Sequence, residues 1–163
     1  MKTTKNGLVC DIDYLHQKSE LVDLTNKEEV EHIKKTMTDM FYAFNGKMQG
    51  MAAVQCGILK RAILLRYKKG DEPIIAFNPK IYFKFGFDLS NEGCLSEDDI
   101  RYWVRRPSIM IGSYYREDGS KKIVCLDFKK ARIFCHECDH LDGILLQDKG
   151  KLVNMNRHGK KKK

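Results

Sequence analysis

A chain of 163 residues with 42% apolar content is long enough for one hydrophobic core and leaves little for a second. No stretch approaches the ~20 apolar residues of a membrane span, and the opening Met1-Lys2-Thr3-Thr4-Lys5-Asn6 is polar, with no signal-peptide run after it. The composition points to a soluble cytoplasmic protein of a single domain, with no membrane partner. The net charge of +8, from 30 Lys and Arg against 22 Asp and Glu, suits a polyanion such as RNA.

Part of that charge is Lys160-Lys161-Lys162-Lys163, and residues 152–163 read as a flexible, solvated basic tail. Zinc-finger spacing and aromatic-interleaved basic motifs are absent, so a sequence-specific nucleic-acid module is not expected. Six cysteines scattered through a domain of this size are expected as buried groups or metal ligands rather than disulfides.

Along the chain, Thr25-Asn26-Lys27-Glu28 has the form of a capping box, with Thr25 as N-cap and Glu28 reaching back. Val30, Ile33, Met37, Met40, Phe41 and Phe44 then recur at helical spacing until Asn45-Gly46, which predicts a core-packed helix of about five turns. Strand-like runs follow at 62–67, 74–77, 81–87, 109–115 and 123–126, with breaks at Lys69-Gly70-Asp71 and Asn78-Pro79. Glu117-Asp118-Gly119-Ser120 reads as a hairpin turn. A second helix is expected over 128–141, with Asp127 as N-cap and Gly143 just past its end. Strands grouped between two helices predict an α+β fold.

The second helix carries His136-Glu137-Cys138-Asp139-His140. Spacing of i, i+4 puts both imidazoles on one face, where they can reach a single ion, and Glu137 stands beside a metal-activated water as a base. Paired histidines also occur as plain helix decoration, so a third ligand decides. One protease class adds a Gly and a third His, but Leu146 occupies that His position. Another takes a later Glu, and none follows Glu137; Asp142 and Asp148 remain as weak candidates.

A thiolate with two imidazoles is a known open catalytic set. Cys135 and Cys138 form a C-x-x-C in mid-helix, Cys135 pointing about 100° away from His136, and both read as packed apolar groups. Cys94 has the better setting, since Gly93 lets the loop backbone approach a substrate closely. Spacing alone does not choose it over Cys56 or Cys125.

At these residues the chain resembles the peptide deformylases, whose motifs are G-x-G-x-A-A-x-Q, E-G-C-L-S and Q-H-E-x-D-H. Here they stand as Met48-Gln49-Gly50-Met51-Ala52-Ala53-Val54-Gln55, Glu92-Gly93-Cys94-Leu95-Ser96 and Cys135-His136-Glu137-Cys138-Asp139-His140. The likeness covers roughly residues 10 to 150. It implies antiparallel sheets around a metal-binding helix, with an N-terminal helix besides. It also implies one divalent metal ion on Cys94, His136 and His140, commonly ferrous iron, with zinc, nickel or cobalt able to substitute.

Glu137 would be general base and acid, with Gln55 and the Leu95 N–H as oxyanion donors. The substrate would be a formylated peptide, formylmethionyl at its N-terminus, paired on the Gly50 backbone, with Ile133 lining an apolar pocket. Some family members contact the ribosome, which the basic surface or tail would suit. Met48 replaces the first motif Gly and Cys135 the Gln before His136. Glu97-Asp98-Asp99 follows Ser96 where the family often has an apolar residue and Pro. Arg101 and Arg106 fall where basic residues are common in the family, as surface charges or as ion-pair partners of Glu92. These departures leave a divergent hydrolase acting on another N-formyl or N-acyl amine, or a catalytically weak paralogue, as the alternative. A basic binding protein with a vestigial metal site is the non-enzymatic one.

Overall fold

The computed structural model describes residues 1–4, 7–45, 47–96 and 100–153. In chain order these form α1 (Ile12–Leu15), α2 (Lys27–Ala43), β1 (Gly50–Ala52), a 3-10 turn (Ala53–Cys56), β2 (Ala62–Leu65), β3 (Ile74–Gly93), β4 (Arg101–Tyr115), β5 (Lys121–Asp127), α3 (Phe128–Leu141), α4 (Leu146–Lys149) and β6 (Lys151–Leu152). Strands run β1-β2-β3-β4-β5 in one antiparallel sheet, with β6 also on β4. The α+β class expected from the sequence stands. The sheet is single rather than several, because β3 (20 residues) and β4 (15 residues) carry the ladder from end to end.

The break expected at Asn78-Pro79 is a bulge within β3. Asn78 adopts φ +47°, and the register slips between Phe77 and Lys80, where a residue without an N–H removes no ladder bond. The Asn78 side chain bridges Val22, accepting from its N–H at 2.8 Å and donating to its carbonyl at 3.0 Å. Three arginines along residues 101–106 hid the first half of β4, although Tyr102 and Val104 alternate into the interior.

Asn26, rather than Thr25, caps α2: its side chain accepts from the Glu29 N–H at 3.1 Å. Glu29 reaches back to the Asp23 N–H at 3.0 Å, while the Thr25 hydroxyl is turned onto Asp23. The capping sequence is thus used one residue later than its pattern suggested. Val30, Ile33, Met37 and Phe41 form the buried stripe; Met40 and Phe44 pack at its edge. The helix ends at Ala43, and Gly46 lies outside the described residues, as do Glu97-Asp98-Asp99 and Lys160-Lys161-Lys162-Lys163.

The core has two layers, one on each face of the sheet. α2 packs with Leu64, Phe77 and Met51; α3 packs Phe134, Cys135, Cys138 and Leu141 against Ile63, Leu65 and Met110. The expected span of α3 is reproduced, with Asp127 at its N-cap but no side-chain cap bond. Gly143 closes it at φ +70°, and a Cβ there would strike the His16 carbonyl.

Because Asn26 makes the cap bond, Asn26→Ala should lower stability by about 1 kcal/mol, and Thr25→Ala by clearly less. Urea unfolding of both variants measures the difference.

Candidate metal centre and active site

α3 turns one face toward the end of β3, where Cys94 follows Gly93. His140 Nε2 lies 3.4 Å from Cys94 Sγ and 3.2 Å from His136 Nε2, and all three donor atoms fall within 4.8 Å of one another. A tetrahedral ion at about 2.05 Å from nitrogen and about 2.3 Å from sulfur would separate its ligands by about 3.3 Å (N···N) and about 3.6 Å (N···S). The two spacings at His140 match that pattern, and the three donors cluster closely enough to fit one small divalent ion.

The orientation of His136 is fixed from behind. Its Nδ1 lies 3.0 Å from Glu92 Oε2, so an Nδ1–H donated to the carboxylate leaves the Nε2 lone pair facing Cys94 and His140. Glu92 is itself gripped by Arg106 through Nε (3.0 Å) and Nη2 (2.9 Å), in a bidentate pair buried on both sides. Arg106 also binds Asp139, one residue before His140, and Lys149 holds Asp139 from the far side at 2.8 Å. Burial alone would raise the Glu92 carboxyl, but bonds from His136 and Arg106 outweigh it and hold it at about 2. Burial likewise opposes charge on His136, yet its bonds to Cys94 and Glu92 carry it well above the ordinary imidazole value. Burial and the neighbouring His136 push His140 well below.

Glu137 is buried, and its Oε2 has no hydrogen-bond partner among the described residues. Burial pushes this carboxyl up to about 7. Gly50 explains how the carboxylate fits: a Cβ at that position would overlap Glu137 Oε1. Gly50 of β1 pairs with Leu65 of β2, so the β1 backbone presses directly on Glu137.

Gln55 sits on the 3-10 turn with its Oε1 accepting from the Ala52 N–H at 2.9 Å. Its Nε2 donates to Cys94 Sγ at 3.3 Å and to Ser96 Oγ at 3.0 Å. The amide therefore stands against the thiol and the loop that carries it. The Leu95 N–H has no hydrogen bond among the described residues.

Gly50, Gln55, Gly93, Cys94, Leu95, Ile133, His136 and Glu137 line one cavity of about 360 Å³. Its wall thus gathers the predicted catalytic and substrate residues, with Cys94 and His136 of the ligand set. His140 lies behind them. Ile133 serves the cavity and the core together.

Arg106 is the Glu92 partner, whereas Arg101 bonds Asn91. Met48, which stands in place of the first motif Gly, lines the cavity and also packs in the α2-side core. Arg132, which is not among the residues expected from the sequence, lines the cavity and donates to Ser90 Oγ at 3.0 Å. Its position one helical turn before His136 was the available signal.

Donors converging from a loop and a helix, beside a buried carboxylate whose Oε2 has no partner among the described residues, are the layout of a metal-assisted hydrolase. The polypeptide deformylase family model matches residues 8–157. The peptide deformylase of Finegoldia magna is 38% identical over 121 residues, spanning 73% of this chain and 75% of that protein. A Plasmodium falciparum peptide deformylase in complex with an inhibitor superposes with TM-score 0.76 at 34% identity, over 88% of this chain and 87% of that one. The Met-Ala-Ser-bound structure of an Acinetobacter baumannii peptide deformylase gives TM-score 0.74 at 29% identity, over 84% and 92% of the two chains. This chain belongs to the polypeptide deformylase family, metal-dependent hydrolases that remove the N-formyl group from nascent peptides.

Arg106→Ala leaves Glu92 buried without its counter-charge and should cost about 3–5 kcal/mol, read as a lowered urea midpoint. Gly50→Ala should displace the Glu137 carboxylate and lower kcat by about 10²-fold with metal content unchanged, which turnover and metal analysis of one preparation would check.

Proposed function

We propose that Cys94, His136 and His140 hold one divalent ion, ferrous iron in the native enzyme, and that Glu137 is the base and acid that deformylates formylmethionyl peptides there. The observation carrying this reading is the convergence of the three donor atoms beside the unpartnered Glu137 Oε2. When bound, the ion supplies a Lewis acid that makes water nucleophilic near neutral pH. Zinc, nickel or cobalt satisfies the same donor set, and a thiolate on iron makes the site oxygen-sensitive.

Glu137 takes the proton of the attacking water on its free oxygen and delivers it to the departing amine. The Leu95 N–H and the Gln55 amide, which flank Cys94, supply donors to the formyl oxygen as it gains charge. Gly50 and Gly93, which both line the cavity, offer backbone for a peptide added as a strand. Ile133 gives the methionine side chain an apolar wall. Met48 lines the same cavity, so the wider alternative substrate class keeps its motive.

Residues 1–163 act as one domain in this reading, with 152–163 as its basic tail, in the cytoplasm where formylated chains emerge. No helix among the described residues is long and apolar enough to cross a membrane. The net charge of +8 supports contact with ribosomal RNA through the basic surface and tail.

Anaerobically purified protein should contain one metal per chain and hydrolyse a formyl-Met-peptide. Chelation should remove both metal and activity. Glu137→Gln should keep the metal and lose about 10²–10⁴ of kcat. Protein lacking both metal and activity sinks the proposal, as does a fully active Glu137→Gln enzyme.

A further inference from the structure

The two faces of the sheet are covered unequally. α3 lies over the face that carries Ile81, Met110, Val124 and Leu126. On the other face α2 covers Leu64 and Phe77, and its Lys34 reaches Glu117 at the β4–β5 turn. Further along that face, Phe83, Phe85, Phe87 and Leu89 of β3 stand beside Ile109 of β4 and Ile123 of β5, each 40–71% exposed. The register places them together: Phe83 opposes Ile111, which in turn opposes Cys125, Phe85 opposes Ile109, and Phe87 opposes Pro107, and directly opposed residues share a face. Phe83 and Phe85 stack at 6.3 Å between centroids.

Taking about 200 Å² for a whole aromatic side chain and somewhat less for an aliphatic one, the six expose on the order of 600 Å². That reaches the upper end of what a typical monomer leaves as its largest apolar patch, about 300–600 Å². With Trp103, Arg105 and Cys125 at the rim, it approaches the roughly 800 Å² per partner of a standard stable interface.

A second copy of the same sheet can cover such a surface, since sheet faces pack about 10 Å apart. The charges at the strip are also self-complementary. Arg105, which lies over the Phe87 ring at 4.8 Å, is two residues to one side of Pro107. Asp127, opposite Ile109, is two residues to the other side and one strand over. A two-fold axis crossing the strands at Pro107 brings each Arg105 to the level of the other copy's Asp127, one strand spacing of about 4.8 Å away laterally.

We propose that this protein is a two-fold homodimer packed through the exposed β3–β4–β5 face, with Phe83, Phe85 and Phe87 at its centre and Arg105–Asp127 pairs across it. The full chain at about 10 µM, within reach of an interface this size, should sediment at twice the 19.0 kDa of one chain. Phe85→Glu should sediment at 19.0 kDa with its activity on formyl-Met-peptide retained, which shows that it has folded. Independently of any variant, alkylation of Cys125 in the native chain, followed by site-resolved mass spectrometry, should slow as protein concentration rises. A native chain that stays at the monomer mass overturns the proposal, whatever else it binds. So does a Phe85→Glu dimer, or Cys125 labelling that ignores concentration.

Discussion

The buried pair between Arg106 and Glu92 is the constraint from which the rest of the site follows. A carboxylate and a guanidinium at this depth cost several kcal/mol each in lost hydration, so the pair is poor evidence for stability as such. Its value is directional. Both Glu92 oxygens are engaged, one of them also by His136 Nδ1, and the remaining guanidinium nitrogen is anchored on Asp139. One arginine from β4 therefore locks β3, just before the Cys94 loop, to α3 at the turn between the two histidines. The distance from thiol to imidazoles is set by this lock, since Cys94 and the histidines lie far apart in the chain.

α3 divides its circumference between two demands. Phe134, Cys135, Cys138 and Leu141 belong to the core, while His136, Glu137 and His140 converge on the site. Sulfur suits the core half of that division. The two cysteines within the motif are small, apolar and fully packed, and burial raises both thiols away from ionisation. Cys94, by contrast, stands at the cavity wall with an amide donor on its sulfur. Environment, rather than residue type, separates the structural cysteines from the candidate ligand.

Legibility in the sequence followed how local each signal was. α3 could be read to its ends because helical periodicity, an N-cap Asp and a terminal Gly all lie within one short stretch. The β4–β5 hairpin was legible for the same reason: Asp118 accepts from the Ser120 N–H and Gly119 takes φ +81°. The first half of β4 was hidden because its arginines face partners that only the fold supplies; the sequence leaves Arg106 open between surface charge and a Glu92 partner, and only the fold adds Asp139. Asn78-Pro79 read as a break because a bulge depends on the neighbouring strand. The histidines and Glu137 were visible from spacing, but choosing Cys94 needed more than spacing, since chain separation carries no information about approach in space. Gly50 was read as a backbone for substrate, and its clash with Glu137 could not be foreseen without the packing of β1 on α3.

Gly50 also shows why the general base is placed by steric exclusion as much as by hydrogen bonding. Glu137 Oε2 has no donor to hold it among the described residues, so an unrestrained side chain would sample several rotamers and lose rotamer freedom on each productive encounter. The β1 backbone closes one side of that space, and any side chain at residue 50 would occupy the remainder. A carboxylate confined by packing keeps its lone pairs free for the proton it must take, whereas one fixed by strong donors would be a weaker base. The absent Cβ of one glycine thus reconciles a fixed position with a basic, unpaired oxygen, and it does so on the same strand that offers backbone to the substrate.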